Sequence, residues 1–146
     1  MRTEQADKQI TNTPSAYNTI TLYGSSIDQV HYFCLNMFRI MRPLRLKYKL
    51  TINEIIFING ALLYHKHEDS SFSSSSLRKY IRYYNLNKFT YYLNSTLKKG
   101  LIVQSDIING NNRYKLTQLS IEILSQLQSC YDKALEDYSL LYGISL

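Results

Sequence analysis

Cysteine is scarce in this chain of 146 residues. Cys34 and Cys130 are too few and too far apart for a disulfide framework or a zinc cluster. Both fall in stretches of helical periodicity, where a buried reduced thiol is the expected role. No apolar run approaches the roughly 20 residues needed to cross a bilayer. The opening MRTEQADKQITNT has no apolar stretch behind its charges, so no secretory leader is expected. Paired carboxylates, a nucleophile–base arrangement and phosphate-loop glycines are missing too, so the chain does not read as an enzyme and calls for no cofactor. A cytoplasmic, nucleoid-associated protein is the expectation. His65, His67, Glu68 and Asp69 invite a metal assignment, but residues two apart do not share a helical face and no distal ligand set accompanies them. No metal site is expected.

Acidic residues are nearly missing from one segment. Between residues 70 and 117, Asp106 stands alone against Arg78, Lys79, Arg82, Lys88, Lys98, Lys99, Arg113 and Lys115. From residue 118 onward the balance reverses, with Lys133 against Glu122, Asp132, Glu136 and Asp137. Such a division points to a polyanion partner for the middle of the chain and protein contacts for its last helix.

The basic segment has a definite order of elements. Ser73 to Ser76 offer N-caps for a helix carrying Leu77, Ile81 and Tyr84 on one side. A tight connection at Tyr84, Asn85 and Leu86 follows. Asn87 then caps a second helix, over 87–99, with Phe89, Leu93 and Leu97 at i, i+4 and i+8. Gly100 sits at the C′ position, and Lys98 and Lys99 suit that helix's negative end. LIVQSDII reads as a strand, Asn109-Gly110 as a hairpin turn and RYKLT as the returning strand.

Upstream, residues 1–25 are polar and aperiodic and are expected to form a mobile lead-in. From Ser26 a helix is expected over 26–42, with Val30, Phe33, Cys34, Met37, Phe38 and Met41 on its apolar side and Pro43 as its stop. That side suits a core, a subunit interface or a cofactor pocket. LRLKYKL alternates charge and apolar residues, as an extended linker would. Thr51 and Glu54 then form a capping box ahead of a helix with Ile52, Ile55, Ile56, Ala61, Leu62 and Leu63. After Thr117, a helix over 118–142 repeats Leu119, Ile123, Leu127, Cys130 or Tyr131, Ala134 and Tyr138 at steps of three to four.

Helix, turn, helix and hairpin, with Leu97-Lys-Lys-Gly-Leu-Ile leading into Arg-Tyr-Lys-Leu-Thr and a long helix, resembles the MarR-type winged helix-turn-helix regulators. The resemblance runs from about Lys49 to the C-terminus. It departs in lacking a glycine in a turn one residue longer than usual, and in placing Thr96 where that family often has leucine. The expected fold is mostly α with a small β-hairpin: a winged helix-turn-helix core over 51–117, within a single domain over 26–146, flanked by N- and C-terminal dimerisation helices.

The long last helix would outrun a small domain, so a homodimer is expected, with Phe33, Met37, Leu127, Tyr131, Ala134 and Tyr138 at the interface. Double-stranded DNA is the expected partner. On the second helix Asn94 and Thr90 suit base edges, while Lys88, Tyr91, Ser95 and Lys98 suit phosphates. Ser74, Ser75 and Ser76 add contacts at the preceding helix start, and Arg113 is expected to probe the backbone or minor groove from the wing over 101–117. The clustered tyrosines (Tyr80, Tyr83, Tyr84, Tyr91, Tyr92, Tyr114) read as core and rim packing rather than stacking platforms. The resemblance also implies small aromatic effectors held between dimer helices and the winged domain, although no residue identifies such a pocket. The competing function is a winged-helix protein-interaction or replication-accessory module that does not read DNA sequence.

Overall fold

The computed structural model describes residues 26–142, except Asp69 and Tyr83. The polar lead-in over 1–25 therefore lies outside the described residues. The element order is α1 (Ser26–Leu35), α2 (Met37–Tyr48), α3 (Ile52–His67), α4 (Ser74–Tyr80), α5 (Leu86–Lys98), β1 (Ile102–Ile108), β2 (Asn111–Leu116) and α6 (Gln118–Tyr142). The described residues form two compact units: Met41–Cys130 is one, and residues 26–40 with 131–142 are the other.

In the Met41–Cys130 unit, Thr51 and Glu54 close the capping box the sequence announces. The Thr51 amide donates to Glu54 Oε1 at 2.8 Å, and the Glu54 amide to Thr51 Oγ1 at 3.2 Å. The same box recurs at Ser73 and Ser76, which starts α4. Phe57, Ala61, Phe72, Leu77, Ile81, Tyr84, Phe89, Leu93 and Ile102 make one apolar cluster behind α4 and α5. Phe57 and Ile58 are fully buried although the sequence pattern did not single them out, and Leu63, expected inward, is exposed.

β1 and β2 pair antiparallel across Asn109-Gly110, both at positive φ, the backbone a type I′ turn requires. Gly100, at φ 71°, ends α5 as expected. The Leu101 amide reaches back to the Thr96 carbonyl at 2.9 Å, closing a Schellman motif. One feature has no local sequence signal. Phe72 and Tyr114 exchange backbone hydrogen bonds of 2.9 and 2.8 Å, tying the hairpin to the α3–α4 connection.

Three boundaries differ from the sequence expectation. The helix expected over 26–42 is two helices, interrupted at Asn36, whose side-chain amide competes with its own backbone for the Tyr32 carbonyl. Pro43 does not stop α2, and LRLKYKL is helical as far as Tyr48 rather than an extended linker. A mid-helix proline costs about 3 kcal/mol. Here Pro43 lies on the exposed side of the helix, and burial of Met41, Leu44 and Leu50 on the other side offsets the loss. Leu46 is consequently exposed and Tyr48 half-buried, as a helical period demands. The stop comes at Lys49, at φ 57°, with the Leu50 amide bonded to the Arg45 carbonyl. The third difference is the cap of α5, which is Asn85 rather than Asn87, accepting from the Lys88 amide at 2.9 Å.

Glu54 is 2 % exposed, the most deeply buried charged side chain among the described residues of this unit. Lys99 Nζ stands 2.8 Å from its Oε1 and 3.0 Å from the Lys49 carbonyl, and Ser95 Oγ donates to Oε2. Burial pushes the carboxyl pKa up, but the Lys99, Ser95 and Thr51 hydrogen bonds outweigh it and hold the group below the ordinary glutamate range. A depressed folded pKa contributes stability that is complete above the ordinary range and lost as pH falls through the lowered value. Glu54→Gln should therefore lose about 1–3 kcal/mol at neutral pH. Urea unfolding at about pH 7 and about pH 3 should show that gap closing on the acid side. An equal gap at both would remove the ionised carboxylate as its source.

Candidate nucleic-acid interface

The capping of α5 at Asn85 and the inward anchoring of Phe89, Leu93 and Thr96 fix which side of the helix faces out. Thr96 is fully buried and donates its hydroxyl to the Tyr92 and Leu93 carbonyls, so threonine fills this core position without an unsatisfied polar atom. Tyr84 holds the inter-helix turn in place through its side chain. Its ring packs 5.1 Å from Tyr92 and its hydroxyl donates to the Asn53 carbonyl at 3.2 Å, pinning the turn to α3. Of the other tyrosines expected in packing roles, Tyr92 and Tyr114 are half-buried, Tyr80 and Tyr91 are exposed, and Tyr83 lies outside the described residues.

Lys88, Thr90, Tyr91, Asn94 and Lys98 are all exposed along α5. Ser95 is the exception. It is half-buried and its hydroxyl is committed to Glu54, which removes it from an outward phosphate-binding role. Ser74 and Ser75 are exposed on α4, whereas the Ser76 amide and hydroxyl are both engaged with Ser73.

Arg78 and Lys79 belong to this surface too, beyond the contact residues expected from the sequence. They follow Ser74 and Ser75 by one helical turn and line, with Thr90 and Leu86, a cleft of about 330 Å³ between α4 and α5. The i, i+4 spacing from the serines was the available signal.

The wing is different from expectation. The Arg113 guanidinium is turned back onto the α3–α4 connection, donating to the Ser71 carbonyl at 2.6 Å and to Ser71 Oγ at 3.0 Å. It braces the hairpin instead of extending from it. The reason is a break in register between Gln104 and Ile107, where Ser105 and Asp106 oppose Arg113 alone. Such a bulge re-aims side chains on both strands. The wing tip is left neutral, with Ile107 and Ile108 exposed beside Asn109, Asn111 and Asn112.

In the other unit, α1 packs on the end of α6. Tyr32 meets Tyr138 at 5.0 Å and Phe33 meets Tyr131 at 5.4 Å, both edge to face. Several residues expected at a subunit interface are thus covered by the chain itself: Ala134 and Tyr138 are buried here, and Leu127 is buried in the Met41–Cys130 unit. Phe33, Met37 and Tyr131 are half-buried. Exposed apolar side chains in this unit are instead Val30, Leu35, Phe38, Leu140 and Leu141. Among the described residues no helix is long and apolar enough to cross a membrane, and no group of three or more potential ligands is placed to hold a metal ion.

No family model matches the sequence, and no curated protein matches it significantly. Similarity appears among solved structures. The oxidized form of MarR from E. coli superposes with a TM-score of 0.59 at 16% identity, covering 88% of this chain and 87% of that one. The adhesin competence repressor AdcR from Streptococcus pyogenes gives 0.47 at 18% identity, covering 83% and 85%. The chain has the MarR-type winged-helix fold: mostly helical, with a two-stranded antiparallel hairpin.

The placement of Ser95 has a direct test. Ser95→Ala should lower stability by about 1–3 kcal/mol, since it leaves a buried carboxylate short of one donor. A thermal melt that is unchanged would return Ser95 to the outward face.

Proposed function

We propose that this chain is a double-stranded-DNA-binding transcriptional regulator acting as a homodimer, with α5 in the major groove and the wing against the backbone or minor groove. The observation that carries the reading is the outward face of α5 and α4. Lys88, Lys98, Arg78, Lys79 and Arg82 are exposed there, around the exposed base-reading candidates Asn94 and Thr90. The MarR-type winged-helix fold supports the reading, because in helix-turn-helix proteins this helix pair is the part that docks on DNA.

The roles divide by chemistry. Asn94 pairs bidentately with an adenine edge, and the Thr90 methyl meets a thymine methyl. Lys88, Lys98, Tyr91, Ser74 and Ser75 hold phosphates, joined by Arg78 and Lys79. No arginine lies on the outward face of α5, so guanine reading is weak and A·T-leaning sites are preferred. Arg113 sets the pose of the wing rather than touching DNA. The neutral wing tip contributes side-chain amides.

The second reading, a protein-interaction or replication-accessory module, draws on the exposed Ile107 and Ile108 of the wing. Electrostatics separates the two. Fluorescence anisotropy on an A·T-rich duplex pool, from about 50 to 200 mM salt, should give a slope of log K against log salt of about −4 to −5 per subunit, for five cations. No binding at the lowest salt would favour the protein-interaction module. Within the DNA reading, Asn94→Ala should cost about 1–3 kcal/mol of discrimination at one base position and little nonspecific affinity. An equal loss on every sequence would contradict base reading by Asn94.

The dimer interface in this proposal is the exposed apolar set of the terminal helices, centred on Leu35, Phe38 and Leu140. Leu35→Glu with Phe38→Glu should convert the dimer to monomer in sedimentation velocity while the melting of the winged unit is retained. An unchanged sedimentation coefficient would place the interface elsewhere. Leu127→Glu, by contrast, should unfold the winged unit, because Leu127 is 5 % exposed.

A further inference from the structure

A second cleft, of about 410 Å³, lies beside the base of the wing, and its described lining residues all belong to the Met41–Cys130 unit. Its apolar lining comes from Ala61, Phe72, Leu116 and Ile121. The polar lining carries one formal charge of each sign, on the exposed Lys115 and Asp106, together with the His65 imidazole and the hydroxyls of Ser70, Ser71 and Ser105. Among the described residues Lys115 and Asp106 are not paired with each other or with another charged group.

Two further observations mark this cleft as more than a surface dent. Ser105 Oγ is a buried polar atom with no hydrogen-bond partner. Leaving such a group unmatched costs about 1–3 kcal/mol, and native structures match nearly all of them. Ser105 and Asp106 are also the two residues of the β1 bulge, so the irregularity that breaks the strand register supplies two polar groups of the cleft. Bulges are over-represented beside functional sites because they redirect side chains in this way.

We propose that the cleft binds a small zwitterion, an α-amino acid with an apolar side chain. Its carboxylate is held by Lys115 and the Ser105 hydroxyl, its ammonium by Asp106, and its side chain rests on Phe72, Leu116 and Ile121. The charges select this class. An anion without an amine leaves Asp106 facing it, and an amine without a carboxylate faces Lys115. A volume of this size is within the range of small-molecule pockets, about 300–1,000 Å³. Because the cleft joins the bulge to the Ser71–Phe72 segment that Arg113 and Tyr114 clamp, its occupant touches the parts that pose the wing.

The test is calorimetric titration of the full chain, without nucleic acid, with L-phenylalanine and L-leucine as probes. Phenethylamine and 3-phenylpropionate serve as the half-molecules. At least one amino acid should bind, and each half-molecule at least tenfold more weakly. Lys115→Met and Asp106→Asn should each weaken the amino acid tenfold or more, and Ser105→Ala several-fold. If these variants fold poorly, the wild-type chain answers by NMR, where the amide signals of Ser105 and Asp106 should move with ligand. No binding of either amino acid at millimolar concentration overturns the proposal. So does a half-molecule that binds as tightly as the whole, or shifts confined to residues elsewhere. None of these outcomes bears on DNA binding, which is measured separately.

Discussion

A carboxylate taken out of water sets the geometry of this molecule. Glu54 is buried at the start of α3, and an isolated charge there would be costly. Three donors prevent that: the Thr51 amide, Lys99 beyond the end of α5, and the Ser95 hydroxyl on the last turn of α5. Each end of the arrangement is also favoured by a helix dipole, negative charge at the N-terminus of α3 and positive charge at the C-terminus of α5. The consequence is rotational. With Ser95 and Lys99 bound to Glu54, and Phe89 and Leu93 in the core, α5 presents Thr90, Tyr91 and Asn94 outward.

Charge is sorted by the same interactions. Eight basic residues lie between 70 and 117, but they do not act alike. Lys99, itself partly exposed, is paired with the buried Glu54, and Arg113 is turned onto Ser71. What remains toward solvent concentrates on α4, the turn after it and α5, while the wing tip is neutral. The positive field is therefore narrower than a count along the sequence implies, and it coincides with the helix pair rather than with the hairpin.

Local physics was legible in the sequence. The capping box at Thr51, the Asn109-Gly110 turn, Gly100 and the inward Phe89 and Leu93 each depend on neighbours within a few residues, and each stands where the pattern put it. Several of the failures have a partner distant in the chain. Ser95 looks like a phosphate ligand until Glu54, 41 residues earlier, claims it. Arg113 looks like a groove probe until Ser71, 42 residues earlier, claims it. Leu127 and Tyr138 look like interface residues on a helix too long for its domain, yet the chain supplies its own cover. Pro43 was read as a stop because proline usually is one. It stands on the exposed side of a helix whose other side is buried, and the helix continues past it.

The bridge between Phe72 and Tyr114, with the Arg113–Ser71 clamp beside it, makes α4, α5 and the hairpin a closed ring of chain. Closing a ring costs entropy that grows only with the logarithm of its length, about 0.6 kcal/mol for each doubling. Evolution can therefore exchange, lengthen or shorten the reading surface inside that ring at little cost to closure. The seam that shuts it combines two backbone hydrogen bonds, indifferent to side-chain identity, with the Arg113 side-chain clamp. A scaffold sealed in this way is free to drift in sequence while keeping its shape, which accords with a shared fold at 16% identity.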